Sequence, residues 1–528
     1  IEAVGAGLTA PADARVWDVK GRTIYAGFIE SESSLFLPAA WKSGSTRDAG
    51  SPATPLPGAG PAAPAAAPAA DPAAGARAWN SRVTPERLAH RALVADDAGA
   101  AALRRLGFAV AHVVPARGIF RGRTALVSLG RGGFNTTVLR DVVAQPLAFE
   151  HGGGGGSANP NAGYPVSLMG ATALLRQTLL DARWYADVQE KYHGHRGASV
   201  PRPETNDALA SLDPVVRGDQ PVWFALDDEL DLGRAVRVAD EFKLKLVVRG
   251  SGYDYRALRA LPEGVPVIVP LNFPEAPDVE NADQAADISL DKLQHWELAP
   301  TNPARLAAAK APIALTSAGL RRPETEFWPR VRTAVQRGLS AEAALAALTV
   351  TPAEILGVSR THGTITVGKA ASLVVASGDL FKAEDAEIQL MWVDGEPFES
   401  ESWRRFDARG TWTIAWDSAP EKSPAEIKLT GRTSTRLRAT AGGTDATVRV
   451  EGESYTLLAP PKWFGLERGT TRLAGRVDNG ELTGTGELPD GRALRWRAKR
   501  TAAAVDSPRP AAKKAEPIVA RRDAYPAG

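Results

Sequence analysis

The sequence predicts an α/β fold followed by a separate antiparallel β module, and two observations support this. Between Trp79 and His362, short and continuously apolar segments such as PVWFAL, LKLVVRG, VPVIVPL and APIALTS alternate with helical ones. Such segments are typical of parallel strands that helices cover on both faces. Residues 410–499 carry period-two segments instead, linked by Gly, Asp and Asn turns, which predict antiparallel strands.

The strand–helix alternation also predicts how the first 400 residues are organised. Residues 25–362 contain enough units to close a distorted (β/α)8 barrel, with a long amphipathic helix over residues 168–191. Residues 1–24 and 363–400 carry strand patterns on either side of this region. We expect these two ends to pair in a small β-sandwich outside the barrel.

Other segments lack the apolar content of a core. Residues 48–78 are rich in Ala, Pro and Gly, which predicts a flexible insertion within the barrel region. Residues 500–528 are charged and contain prolines, which predicts a linker or tail. The first residues, IEAVGAGL, have a strand-and-turn pattern without an initiator methionine, so we expect the gene product to extend upstream of Ile1.

Composition and missing motifs narrow the classes of function. The 63 Lys and Arg residues and 61 Asp and Glu residues give a net charge of +2 with both signs dispersed, which argues against nucleic acid or an anionic membrane as partner. The absence of cysteine excludes disulfides and thiolate metal ligands. The sequence contains no P-loop, no GxSxG nucleophile motif and no apolar run approaching the ~18 residues of a membrane span.

Two longer segments resemble the amidohydrolase superfamily. ARVWDVKGRTIYAGFIE is similar to the sandwich strand that leads into the first barrel strand of that family. LSAEAALAALTVTPAEILGVSRTHGTITVGKAASLVVASGDL is similar to its closing helix and return strand. The resemblance extends over roughly residues 1–396 and implies a barrel hydrolase that uses a divalent metal to activate water.

The resemblance also implies that this chain has lost the family's metal ligands. Aligned on GFI, the family's His-x-His pair falls on Glu32 and Ser34, its last-strand aspartate on Ala318 and a middle-strand histidine on Arg249. Alanine has no donor atom, serine is a poor ligand, and one carboxylate does not make a tight site. We therefore expect no catalytic residue and no metal in this chain.

A narrower resemblance suggests a partner. YPVSLMGATALLRQTLLDARWYADVQEKYH and LQHWELAPTNPARLAAAKAPIALTSAGL look like segments of the ligand-poor N-terminal half of bacterial tandem amidohydrolase-like (imidazolonepropionase-like) proteins. This implies a pseudoenzyme in a hetero-complex, docked on an active amidohydrolase that holds zinc or another divalent metal and hydrolyses C–N bonds. That partner would be a downstream domain or a separate chain, in a periplasmic or secreted location.

Two alternatives remain open at this stage. The first is an active hydrolase with a relocated metal site, built from His193 and His195 in the loop YHGHRGASVPRPE together with Glu204. The second is a ligand-binding protein that uses the barrel mouth or the β module. Four tryptophans of the module would form either a binding face or its core: Trp412, Trp416, Trp463 and Trp496.

Several other polar residues have a structural and a functional interpretation. His112 is expected to be a buried, hydrogen-bonded histidine or a remnant of the barrel mouth, and His295 to pack in a loop beside Trp296. The acidic run 227–229 follows a strand and suits a helix cap better than a general base. The arginines of RGIFRGRTALVSLGRGG would be solvated or would bind an anion at the barrel mouth.

Overall fold

The computed structural model contains two hydrophobic cores, one in each of two compact units, Ile1–Ser400 (unit 1) and Glu401–Gly528 (unit 2). The structure describes residues 1–42, 78–151, 164–194, 202–277, 287–400, 403, 408–417, 419–431, 437–451, 454–478 and 481–503. Most of the expected insertion at 48–78 and of the expected tail at 500–528 lies outside the described residues.

The central sheet of unit 1 has five parallel strands in the order β10-β9-β8-β7-β6. Its strands are β6 (Gln145–Ala148), β7 (Val222–Ala225), β8 (Leu246–Arg249), β9 (Val267–Pro270) and β10 (Ile313–Thr316). Most of their residues are buried, as expected for apolar strands covered on both faces.

A second sheet of unit 1 has the order β2-β3-β4-β5, and its first two strands run parallel while the others are antiparallel. Its strands are β2 (Phe28–Ser33), β3 (Phe108–Val113), β4 (Ala125–Ser128) and β5 (Val138–Arg140). The described residues thus hold seven parallel strands in two sheets, where the sequence predicted one closed (β/α)8 ring. The chain returns from β3 to β4 without a crossover helix, and a parallel neighbour requires such a crossover.

The third sheet of unit 1 joins both ends of the unit, in the antiparallel order β1-β11-β12-β13. Its strands are β1 (Thr23–Ala26), β11 (Leu373–Ala376), β12 (Ile388–Val393) and β13 (Glu396–Glu399). The expected sandwich strands within residues 1–22 and 363–368 are absent. Residues 1–22 are mostly exposed and interrupted by glycine and proline, so they have no apolar face to pack.

Helices of unit 1 connect and cover these strands. The α-helices are α1 (Asp97–Arg105), α2 (Phe134–Thr137), α3 (Leu168–Gly194), α4 (Asp207–Ser211), α5 (Asp213–Val216), α6 (Glu229–Phe242), α7 (Leu290–Leu298), α8 (Asn302–Ala308), α9 (Pro323–Gln336), α10 (Ala341–Ala346) and α11 (Val350–Ile355). Short 3₁₀ turns lie at Ala39–Trp41, Ala89–Arg91, Asp254–Arg256, Leu258–Ala260 and Ala299–Thr301. No helix in the described part of the chain has the length and apolar character that crossing a membrane requires.

Unit 2 is a closed barrel of eight antiparallel strands, β14 to β21 in chain order. The predicted antiparallel module is confirmed, with strands β14 (Gly410–Asp417), β15 (Glu426–Gly431), β16 (Leu437–Ala441), β17 (Thr444–Glu451), β18 (Ser454–Ala459), β19 (Thr471–Asp478), β20 (Glu481–Glu487) and β21 (Ala493–Ala503). A 3₁₀ turn, Pro461–Phe464, follows β18. Closure pairs β14 with β21 and removes the exposed edges that an open sheet would have.

The tryptophans of unit 2 belong to its core. Trp412, Trp463 and Trp496 are buried, and Trp416 packs partly buried against the Phe464 ring. Apolar side chains line the barrel interior and leave a cavity of about 20 Å³, roughly the space of one water molecule. The interior therefore has no room for a ligand, and a binding face made of these tryptophans is not what the structure forms.

Two glycines allow Trp496 to lie flat inside the barrel. Gly475 on β19 pairs with Gly484 on β20, and Trp496 on β21 lies opposite Gly484. A Cβ on Gly484 would lie 2.1 Å from the Ala474 carbonyl oxygen and 2.7 Å from the Trp496 ring. A side chain at this position has no space without movement of the backbone.

We expect Gly484→Ala to destabilise unit 2 by about 1–3 kcal/mol, because overpacking a closed barrel strains its backbone. Scanning calorimetry of the full chain should show one transition moving to lower temperature. The neighbouring exposed Thr485→Ala change should alter stability by less than about 0.5 kcal/mol. Equal effects of the two changes would contradict the packing described for Gly484.

Candidate functional site

The carboxyl ends of β2, β8 and β10 bring a charged group of side chains together in unit 1. Glu32, near the end of β2, lies 3.4 Å (Oε1) from Nε of Arg249, the last residue of β8. The indole Nε1 of Trp223 donates a 3.1 Å hydrogen bond to Glu32 Oε2. Both partners of the ion pair are about one-fifth exposed, so the contact is only weakly screened by solvent.

The loop after β8 holds Arg249 in this position. Asp254 is buried, and its carboxylate accepts hydrogen bonds from the backbone N–H groups of Ser251 and Gly252 and from the Asn302 amide. These bonds tie the loop to α8. The guanidinium itself donates from Nη1 to the Gly250 carbonyl at 3.2 Å.

Two further predicted positions lie at the ends of β2 and β10. Ala318 follows β10 and its N–H donates to Thr316 Oγ1 at 3.0 Å. A Cβ placed on the next residue, Gly319, would lie 3.7 Å from Arg249 Nη2, so the guanidinium reaches from Glu32 to this turn. Ser34 follows β2, and it is exposed.

A fully buried carboxyl group, Glu30, links β2 to the end of β10. It accepts hydrogen bonds from the hydroxyl groups of Thr316 and Ser317 and, at 3.0 Å, from the Ser317 N–H. The Glu32 N–H also donates to it, at 3.2 Å. Burial raises the pKa of Glu30 to about 7 despite these four donors, which favour the charged form.

His112, in the middle of β3, is buried and hydrogen-bonded, as one of the two sequence interpretations expected. Its Nδ1 donates to the Ser31 carbonyl at 2.9 Å, and its Nε2 accepts from Thr124 Oγ1 at 2.7 Å. Burial lowers the pKa of His112 to about 4, so the ring is neutral near pH 7. Its edge packs against Trp223, with ring centroids 4.5 Å apart, and this contact orients the indole toward Glu32.

Arg121, one of the arginines of RGIFRGRTALVSLGRGG, is a charged residue near this group. Burial lowers the pKa of its guanidinium, while Glu150, Glu32 and Asp227 raise it and Arg249 lowers it further. Glu150 is itself paired with Arg82 at 3.3 Å. The cations and carboxylates around Arg121 are thus balanced, which leaves no excess positive charge beside this arginine.

Comparisons with known proteins agree with this architecture. Residues 303–398 match the model of the Amidohydrolase family. The structure is similar to an amidohydrolase from Thermotoga maritima, with a TM-score of 0.56, 22% identity, and coverage of 76% of this chain and 93% of that one. A prolidase complexed with N-methylphosphonate-L-proline aligns with a TM-score of 0.38 and 15% identity over 75% of this chain and 92% of that one. No curated protein matches the chain.

The family match is confined to residues 303–398, and the likeness to the Thermotoga maritima protein, at 22% identity, shows a similar fold. The matched family segment contains β10, the turn with Ala318, and the return strands β11 and β12. It therefore includes the carboxyl end of β10, where Ala318 lies, but does not reach Glu32 or Arg249.

The residues at these strand ends do not fit the divalent metal that an amidohydrolase fold implies. Glu32 is the single anionic donor among the four aligned positions, and both of its oxygens already have a cationic or N–H partner. Ala318 offers no donor side chain, and Arg249 brings a positive charge that would repel a cation. Among the described residues, no group of three or more His, Asp or Glu side chains could hold a metal ion.

Two residues of the relocated metal site, His193 and Glu204, lie among the described residues. His193 lies in the last turn of α3 and its ring contacts Tyr192, while Glu204 is exposed in the following segment. His195 lies outside the described residues. Among the described residues, neither His193 nor Glu204 belongs to a group of three or more His, Asp or Glu side chains that could hold a metal ion.

Asp228 precedes α6, and His295 lies within α7. Asp228 caps α6, because its carboxylate accepts from the Leu230 and Asp231 N–H groups, so the capping interpretation of the acidic run is confirmed. His295 does not lie in a loop. It is in α7 and stacks on Tyr253 at 3.8 Å, because residues 290–298 begin after a Ser289 cap and continue as a helix.

The raised pKa of Glu30 predicts a specific pH dependence of stability. A carboxyl group with a folded pKa near 7 and an unfolded value of 4.5 binds its proton more tightly in the folded state. This tighter binding contributes on the order of 3 kcal/mol to the free energy of unfolding. The contribution is fully present below pH 4.5 and is lost as the pH rises through 7. Relative to Glu30→Gln, the wild type should therefore lose free energy of unfolding between pH 5 and pH 8.

Urea unfolding of both proteins at several pH values measures this difference, and the subtraction cancels the opposite contribution of His112. Glu354→Gln, at an exposed position of α11, is the matched control and should show the wild-type pH dependence. A wild-type minus Glu30→Gln difference that does not change with pH would show that Glu30 does not titrate in this range.

Proposed function

We propose that unit 1 is a catalytically degenerate amidohydrolase-like domain whose sheets derive from a distorted (β/α)8 barrel. The observation that carries this proposal is the Arg249 guanidinium, 3.4 Å from Glu32 and next to the turn with Ala318. A guanidinium at this place provides a fixed positive charge but cannot acidify a bound water as a metal ion does. The chain would then contribute structure to catalysis that is carried out elsewhere.

The proposed role is to dock on an active, metal-dependent amidohydrolase that hydrolyses C–N bonds. That partner, a downstream domain or a separate chain, would hold zinc or another divalent metal and would share a periplasmic or secreted location. Exposed apolar side chains near helix starts support docking at the carboxyl edge of the strands. Met169 in α3, Leu230 in α6 and Leu290 in α7 are 82%, 63% and 70% exposed. Where such exposed apolar side chains form one patch, they often mark an interaction surface.

The helix starts are expected at this edge because each helix follows a parallel strand. α3 follows β6, α6 connects β7 to β8, and α7 begins the connection from β9 to β10. In such units the helix runs back antiparallel to the strand, so its first turn lies near the carboxyl end of that strand. The proposed docking surface would therefore surround Glu32 and Arg249.

Two measurements on the purified full chain test whether unit 1 has lost its hydrolase activity: its metal content and its rate of hydrolysis. We expect substoichiometric zinc and no chelator-sensitive hydrolysis of cyclic amides or dipeptides. One bound zinc per chain that is lost in His193→Ala would favour the relocated metal site instead. One zinc that is lost in Glu32→Gln would contradict the proposal directly.

A capture experiment tests docking. Full-length tagged protein should retain an amidohydrolase that carries its His-x-His ligands, and it should raise that enzyme's turnover. Met169→Asp/Leu230→Asp/Leu290→Asp should abolish retention, because three charges would be buried in an apolar contact. Leu180→Asp/Trp184→Asp, at exposed apolar positions farther along α3, is the matched control and should retain the enzyme. Equal loss in both variants would argue against a surface at the helix starts.

A further inference from the structure

The outer wall of the unit 2 barrel carries arginines on alternate strands. Five exposed arginines lie there, and among the described residues none forms an ion pair within 4 Å: Arg449 on β17, Arg472 and Arg476 on β19, and Arg495 and Arg497 on β21. We call this set the arginine band. The intervening strands β18 and β20 carry no basic residue.

Hydroxyl side chains lie between the arginines in the strand register. Arg449 pairs with Thr456 on β18, and Arg476 and Arg497 both pair with Thr483 on β20. Arg495 pairs with Thr485 in the same way. Adjacent strands are about 4.8 Å apart, so arginine-bearing strands recur at about 10 Å, separated by hydrogen-bonding hydroxyls.

A shallow groove marks one part of this wall. It has a volume of about 300 Å³ and is lined by Thr447, Arg449, Thr456, Leu458 and Arg472. Leu458, at 45%, is the one large hydrophobic side chain exposed in the described part of unit 2. The wall thus lacks the apolar core of a protein–protein interface and the aromatic platforms that stack nucleic-acid bases.

The charge of the chain is divided unequally between the two units. Residues 401–528 contain 23 Lys and Arg against 16 Asp and Glu, a formal charge of +7, whereas residues 1–400 carry −5. The dispersed +2 of the whole chain conceals this division. An excess positive charge on unit 2 raises the local concentration of anionic polymers.

We infer that the arginine band binds a linear anionic polysaccharide. Such a polymer, with a carboxylate on every second sugar, repeats this charge at intervals that alternate arginine-bearing strands can meet. Its hydroxyl groups would bond the Ser and Thr side chains of β18 and β20. A flexible chain can also follow the curved outside of a small barrel, which a rigid duplex cannot do without bending. This inference concerns unit 2 and does not rest on the function proposed for unit 1.

Binding of the full chain to chondroitin sulfate tests the inference, with neutral dextran, double-stranded DNA and polyglutamate as comparison polymers. We expect affinity for chondroitin sulfate that falls as salt rises, no affinity for dextran, and weaker affinity for DNA and polyglutamate at equal charge concentration. Arg449→Glu/Arg476→Glu/Arg497→Glu should weaken binding by about tenfold or more.

The matched control is Lys428→Glu/Arg468→Glu, which reverses exposed cations of unit 2 outside the arginine band. Its affinity for chondroitin sulfate should stay within about twofold of the wild-type value, because salt screens the reversed charges from a polymer bound at the arginine band. Thermal unfolding should be unchanged in both variants, since all five side chains are exposed. Equal loss in both variants, or tighter binding of DNA or polyglutamate than of chondroitin sulfate, would overturn the inference.

Discussion

The contact between the Arg249 guanidinium and the Glu32 carboxylate determines the chemistry available at the strand ends of unit 1. A mostly buried carboxylate needs a positive charge beside it, and in a metal hydrolase that charge would be a metal ion. Here a side chain provides it. A guanidinium is fixed, fully protonated and without an open coordination position, so it stabilises the carboxylate without activating water.

The surrounding structure preserves this contact. His112 is kept neutral by burial and packs against Trp223, whose indole N–H bonds the second oxygen of Glu32. Glu30 ties β2 to β10 through hydroxyl and backbone donors and thereby sets the distance between the two sheets at this point. Glu30 and His112 are therefore hydrogen-bonded within the fold, whereas the Ser31 hydroxyl and Arg249 Nε have no hydrogen-bond partner among the described residues.

Residue patterns predicted the elements better than their arrangement. The period-two segments of unit 2 yielded all eight strands, because alternation reports directly which side chains face the core. The contact of Glu32 with Arg249 was not predicted, although the family alignment named both positions. Strand ends distant in sequence meet only through the sheet order. The antiparallel return from β3 to β4 was likewise missed, since short apolar runs do not specify strand direction. The helical position of His295 was missed as well.

An anomalous diffraction experiment tests the central claim most directly. Crystals of the full chain grown with excess zinc would be measured at the zinc absorption edge. The ion pair predicts no anomalous peak within coordination distance of Glu32 and guanidinium density beside its carboxylate. A strong peak bonded to Glu32, with the Arg249 side chain displaced, would show that the strand ends hold a metal ion and would contradict the proposed loss of the metal site.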